Sequence, residues 1–341
     1  MARDRTRRVP PTLVLLWLPL AMSACHETPP SEPPPGAPAA ELAPANAPAD
    51  TILFAYFTGD GEDGMKYALG DGRRFRPVHD GRPVMSSRLG AGLVRDPSII
   101  RGPDSRWHAV WTTGWWAFGF GVAHSDDLVT WSDHDWVPLM EQVKGTVNSW
   151  APEIHWDPER REYLVLWSST VRGRFPETDG SSEPGPDKVP LNHRIWAATT
   201  PDFKSWSEPR VFFDPGFNVI DAVIVRDEPR NRWVLVCKDE TLRPSPRKDL
   251  RVAFADRMQG EYTGAPEPIT AAGTWVEGPS VLPHDTGWTI FFDRYRKGAF
   301  GAVETTDWRT FTPVQAVSFP AGARHGCVLR VTPEEAAAID R

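Results

Sequence analysis

Leu93-Val94-Arg95-Asp96-Pro97-Ser98-Ile99-Ile100, with Trp107-His108-Ala109-Val110-Trp111 behind it, is the stretch that decides the fold. An acidic residue opens an apolar run, and an aromatic-led run begins ten to twelve residues after that acid. The phrase returns as Glu153-Ile154-His155-Trp156 with Tyr163-Leu164-Val165-Leu166-Trp167, and as Asp221-Ala222-Val223-Ile224-Val225 with Trp233-Val234-Leu235-Val236-Cys237. Its last full copy is Glu277-Gly278-Pro279-Ser280-Val281-Leu282 with Trp288-Thr289-Ile290-Phe291-Phe292. Third and fourth strands are expected from Ala123 to Trp131, from Ala197 to Trp206 and from Ala302 to Phe311, with a looser version at Val252 to Ala255. Several short strands per unit at this period are the mark of propeller blades.

A fifth unit is divided between the two ends of the domain. Arg324-His325-Gly326-Cys327-Val328-Leu329 supplies an opening strand, and Leu53 to Phe57 and Tyr67 to Phe75 supply the outer ones. Joining them in one blade closes the ring and leaves no open sheet edge. The expected class is all-β, a five-bladed β-propeller over residues 51–341. Sixteen Trp, sixteen Phe, 35 Pro and 27 Gly agree with strands joined by many turns.

Ahead of the domain, residues 1–24 read as an export signal: Arg3, Arg5, Arg7 and Arg8 precede an apolar run from Thr12 to Met22. That run is too short to span a bilayer comfortably. It ends in Met22-Ser23-Ala24-Cys25, which resembles a lipoprotein cleavage box, so Cys25 is the expected lipidation site; an ordinary signal peptide with an incidental Cys is the alternative. Residues 25–50 then form a Pro/Ala-rich tether. The chain is expected to be exported and lipid-anchored to the outer membrane, facing the periplasm or the cell surface. Removing four Arg and one Asp with the signal takes the formal charge from −7 to about −10. A chain so acidic is a poor partner for nucleic acid, which needs a basic face. Cys237 and Cys327 either form one disulfide or stay as buried thiols.

In a propeller the innermost strands line a central channel, so Asp96, Glu153, Asp221, Glu277 and His325 are expected to converge at one end of it. Clustered carboxylates repel one another and need partners or a purpose. Glycosidic hydrolysis gives them one. A carboxylic acid protonates the leaving oxygen, and in an inverting enzyme a carboxylate about 6.5–9.5 Å away activates water. Glu277, flanked by Trp275, Val276 and Pro279, has the more apolar setting, which suits the acid. Asp96, next to Arg95, suits the base, and Asp221 suits a third group that tunes the acid.

The fragments Val94 to Ile100, Trp150-Ala151-Pro152-Glu153-Ile154, Val219-Ile220-Asp221-Ala222, Val276-Glu277-Gly278-Pro279-Ser280 and Arg324-His325-Gly326 together resemble glycoside hydrolase family 43, from about Ile52 to Glu335. The resemblance implies Asp96 as general base, Asp221 as the tuning residue and Glu277 as general acid. It implies that His325 helps hold a cation such as calcium, or a water cluster, on the axis, with a purely hydrogen-bonded His as the alternative. No cofactor is required. Glu153 reads as structural. Expected sugar contacts are Trp150, Arg294 and His325, with Trp115 or Trp116 as a stacking platform.

Two departures from the family pattern stand out. The base motif is Arg-Asp-Pro, and a Pro/Gly-rich insert from Val171 to Leu191 is expected to shape the rim of the site. The function implied is inverting release of a terminal pentose, α-L-arabinofuranose or β-D-xylose, from arabinoxylan, arabinan or xylo-oligosaccharide. A galactoside-specific or phosphorolytic relative, an invertase-like retaining enzyme, and a non-catalytic carbohydrate-binding propeller remain as alternatives.

Overall fold

The computed structural model describes residues 51–341. The expected signal, Cys25 and the tether lie outside the described residues. Blade five takes β1 (Ile52–Tyr56), β2 (Lys66–Gly70) and β3 (Phe75–Pro77) from the start of the domain. Blade one is β4 (Arg95–Arg101), β5 (Trp107–Thr112), β6 (Phe120–Ser125) and β7 (Asp135–Val137). Blade two is β8 (Trp150–Asp157), β9 (Glu162–Thr170), β10 (His193–Thr200) and β11 (Arg210–Phe213). Blade three is β12 (Val219–Asp227), β13 (Arg232–Asp239), β14 (Asp249–Ala255) and β15 (Thr263–Pro268). Blade four is β16 (Glu277–His284), β17 (Gly287–Arg294), β18 (Ala299–Thr305) and β19 (Thr312–Pro313). Then β20 (Cys327–Arg330) pairs antiparallel with β1, from Ile52–Arg330 to Ala55–Cys327, and the ring closes as expected. A short helix, α1 (Pro333–Ile339), follows, started by a capping box between Thr332 and Glu335.

Each sheet buries both faces against its neighbours, which is why the second strands read as unbroken apolar runs rather than alternating ones. All six residues of β5 are buried. The apolar side chains fall into five clusters, each filling the wedge between two adjacent blades. Between blades four and five the filling is aromatic, with Phe54 edge-on to Phe300 at 5.3 Å and Phe75 edge-on to Phe291 at 6.0 Å. Cys237 and Cys327 are free, buried thiols in two different wedges. Side chains also stitch the inner strands together. Ile154 N–H donates to Ser98 Oγ (3.2 Å), Ile224 N–H to His155 Nε2 (3.3 Å) and Val328 N–H to Ser280 Oγ (2.8 Å).

The outer strands correct the sequence-based expectation. The expected stretches begin as third strands, but their second parts, 126–131, 201–206 and 306–311, are turns rather than fourth strands. In them Asp127, Asp202 and Asp307 accept the backbone N–H groups two and three residues onward, at 2.7–2.9 Å. The residue after each Asp takes a left-handed φ: Leu128 at 64°, Phe203 at 60° and Trp308 at 58°. Apolar residues inside an Asx-type turn imitate a strand. The fourth strands begin beyond them. Nor is blade three loose, since β14 pairs with β13 without interruption from Asp249–Asp239 to Ala255–Trp233.

Candidate active site

The first four inner strands share one irregularity. Two residues oppose a single partner at the start of each: Asp96-Pro97, Ala151-Pro152, Asp221-Ala222 and Gly278-Pro279. The first residue of each pair has a left-handed φ, at 47°, 47°, 54° and 58° respectively. Such bulges re-aim side chains and recur beside active sites. Three of the four are not Gly, and each of those carries about 1 kcal/mol or more of backbone strain.

The bulges correct the assumption that the acids sit in register. Asp96 and Asp221 occupy the same bulge position, Glu277 stands one residue before it, and Glu153 two residues after, at the place held by Ser98 and Ser280. Asp96, Asp221, Glu277 and His325 line one cavity of about 240 Å³ at the end of the channel, and Glu153 is not part of its lining.

The bulge N–H groups are held from the neighbouring blade. Ala151 N–H donates to Thr112 Oγ1 (2.8 Å), Asp221 N–H to Ser168 Oγ (3.1 Å) and Gly278 N–H to Asp221 Oδ2 (3.0 Å). Thr112, Ser168, Lys238 and Asp293 are the equivalent second-strand positions, each paired with the residue before a bulge. In blade three Asp221 caps the next bulge itself. Lys238 is thereby free to reach Glu277 (3.1 Å), while in blade four Asp293 receives Arg324 Nε (2.8 Å).

His325 organises the carboxylates. Its Nδ1 lies 3.4 Å from Asp96 Oδ1 and 4.0 Å from Asp221 Oδ2. Burial alone would raise the Asp96 carboxyl, but the His325 hydrogen bond and charge, with Arg95 and Thr112, outweigh it and hold Asp96 at about 2. Burial disfavours charge on His325, yet Asp221, Asp96 and Glu277 push it to about 9. Burial raises Asp221 to about 6 against the pull of His325 and Lys238. Burial also lifts Glu153 to about 7.

Glu277 sits in a clamp of two cations. Lys238 Nζ meets one oxygen at 3.1 Å and Arg324 Nη2 the other at 2.9 Å. The ion pairs run on through Lys238–Glu240 (2.7 Å) to Lys248. Burial works against the charge on Lys238, but Glu240 and Glu277 raise its pKa well above the ordinary value. Asp96 is thus held ionised chiefly by His325, while both oxygens of Glu277 are held by cationic donors.

Of the expected sugar contacts, Trp115, Trp150 and His325 line the cavity. Trp150 Nε1–H donates to the Trp115 carbonyl (2.6 Å), and the rings meet edge-on at 5.7 Å. Trp116 lies outside the lining, its ring 5.9 Å from Trp150. Arg294 is misplaced. Asp293 faces inward and is fully buried, so its neighbour Arg294 turns to the other side of the strand, and Arg324 takes the place in the cavity. The insert does shape the rim, through Glu183 and Leu191. Sequence reasoning missed Lys238, Glu240 and Lys248; the only available signal was charge interrupting the apolar blade-three strands.

His325 turns a charged Nδ1 toward the carboxylates, and among the described residues no group of three or more metal-ligating side chains is assembled.

Fold and site together define a propeller of the glycoside-hydrolase kind. Residues 48–337 match the family described as "Probable glycosyl hydrolase domain", a group related to glycoside hydrolase family 43, and the chain belongs to that family. The solved structure of a thermostable family-43 glycoside hydrolase superposes with a TM-score of 0.55 at 16% identity, covering 74% of this chain and 84% of that one. An endo-arabinase from Bacteroides thetaiotaomicron gives 0.53 at 12% identity, covering 70% and 94%. An α-L-arabinofuranosidase from Lactobacillus brevis gives 0.52 at 14%, covering 70% and 75%. In sequence, 168 residues are 23% identical to an α-L-arabinofuranosidase of Bifidobacterium longum subsp. longum, a match over 44% of this chain and only 16% of that protein.

Proposed function

We propose that the protein is an inverting glycosidase that releases a terminal pentose, α-L-arabinofuranose or β-D-xylose, from plant-type polysaccharide or its oligosaccharides. The observation that carries this reading is that Asp96, Asp221 and Glu277, from three different blades, line one small cavity. Asp96, held ionised by His325, is suited to take a proton from the water that attacks the anomeric carbon. Glu277 is the group assigned to protonate the departing oxygen, with its two carboxyl oxygens positioned by Lys238 and Arg324. Asp221 acts on Glu277 at one remove, by fixing the Gly278 bulge that follows it. A cavity of about 240 Å³ is below the usual range for drug-sized ligands, which favours one terminal sugar over a length of polymer.

The test is release of aryl alcohol from aryl α-L-arabinofuranoside and aryl β-D-xyloside by the full chain, with Glu277→Gln alongside. Release from one of them, lowered at least about a hundredfold in the variant, is expected. Equal rates in both proteins would overturn the assignment. For the segment ahead of the domain, the proposal is export and anchoring through a lipid on Cys25. Cys25→Ser should move the protein from the membrane to the soluble fraction.

A further inference from the structure

Among the described residues the exposed large hydrophobics are Trp115, Trp116, Phe118 and Val129. Three of the four stand within four residues of one another, on the loop between β5 and β6. Because β5 ends at Thr112, paired with Arg95 beside the cavity, this loop opens at the same end of the propeller as the site. Trp115 lines the cavity, while Trp116 and Phe118 lead away from it, exposed at 45% and 40%.

The loop is held as firmly as a strand. Ala91 N–H donates to the Thr113 carbonyl (2.9 Å) and Met140 N–H to the Phe118 carbonyl (3.0 Å). Arg95 lies over the Trp115 ring at 4.1 Å, and Trp150 is bonded to its carbonyl. At the far end no side chain fits: a Cβ on Gly119 would stand 2.1 Å from the Val137 carbonyl oxygen. Aromatic rings presented on a fixed backbone lose little freedom on binding, and their flat faces suit the C–H faces of sugar rings.

We infer that Trp116 and Phe118, continuous with Trp115 and Trp150, form a second binding surface that takes the polysaccharide chain bearing the terminal sugar. This rests on the proposed function for the identity of the ligand. It goes beyond it in assigning the chain, rather than the terminal unit, to a separate aromatic strip. The cavity is too small for that chain, whereas Trp116, its ring 5.9 Å from Trp150 of the cavity wall, and Phe118 are exposed outside it.

The test is retardation of the full-length protein in native gels containing arabinoxylan or linear arabinan. Wild type should be slowed. Trp116→Ala combined with Phe118→Ala should weaken binding about tenfold or more, and Trp116→Tyr, which keeps a ring, should restore most of it in the Phe118 background. Circular dichroism melting of each variant separates lost binding from lost folding. Glu277→Gln should be slowed like wild type, so failure of the catalytic reading and failure of this one are distinguishable. No retardation of wild type by either polymer, or equal retardation of the double variant, would overturn the assignment. So would aromatic-dependent binding to anionic lipid vesicles or self-association in place of polysaccharide binding.

Discussion

Gly278→Ala tests the packing on which the carboxylate arrangement depends. Gly278 has a φ of 58°, and a methyl group on it would stand 2.3 Å from Cγ and Cδ2 of His325 and 2.8 Å from its Cβ. Ordinary carbon contacts are about 3.5–4.0 Å, so the imidazole must retreat by about 1 Å or more. It already stands 3.4 Å from Asp96, near the limit of a hydrogen bond, so a displacement of that size disturbs the contact. Against burial, His325 together with Arg95 and Thr112 lowers Asp96 from 3.8 to about 2, a net shift of about 2.5 kcal/mol to which His325 is the main contributor. The upward shift of His325, from 6.5 to about 9, is larger because Asp221 and Glu277 also face it, so the smaller figure sets the scale for the contact. With about 1 kcal/mol for the left-handed backbone, a loss of 2–4 kcal/mol is expected at pH 6.

The pH dependence identifies the cause. A His whose folded pKa is raised contributes stability that is complete below about 6.5 and is lost as pH rises through about 9. The variant lacks that contribution, so the stability gap between it and wild type should shrink by about 2 kcal/mol between pH 6 and pH 10. Urea unfolding followed by Trp fluorescence at the two pH values measures it. An equal gap at both, or a gap under about 1 kcal/mol at pH 6, would refute the reasoning.

Glu153→Gln should act in the opposite direction. Burial raises Glu153 from 4.5 to about 7, so its charge works against the fold increasingly as pH climbs through that range. The variant should be about 2–3 kcal/mol more stable than wild type at pH 8 and indistinguishable at pH 4, read from urea midpoints. Lys238→Met leaves Glu240 and Glu277 without the cation between them, and a loss of about 3 kcal/mol at neutral pH is expected in the same assay. A loss under about 1 kcal/mol would mean that solvent screens the pair.

The architecture was legible because blade strands are buried on both faces, so each second strand shows as an unbroken aromatic-led run, and because the split fifth unit had its missing strands at the other end. The fourth strands were misread because Asp127, Asp202 and Asp307 build turns whose next residue is apolar and inward. Asp96, Asp221 and Glu277 were found from their place at the head of each inner strand. What the sequence hid is that the bulges put Glu277 one residue, and Glu153 two, out of step with the other acids. Arg294 and Arg324 could not be told apart without knowing which way Asp293 turns. Lys238 shows only as a charge at the end of an apolar run, with nothing to name its partner, since it meets Glu277 across a gap of 39 residues.

The most direct test of catalysis by Asp96 and Glu277 is the configuration of the sugar first released from a cleaved aryl pentoside, followed by proton NMR before mutarotation sets in. Attack by a water activated at Asp96 predicts the opposite anomer to that of the substrate, β-L-arabinofuranose from an α-linked one, and Asp96→Asn should lose the reaction. A first product of unchanged configuration, or full activity in the Asp96 variant, would contradict a single displacement at this site.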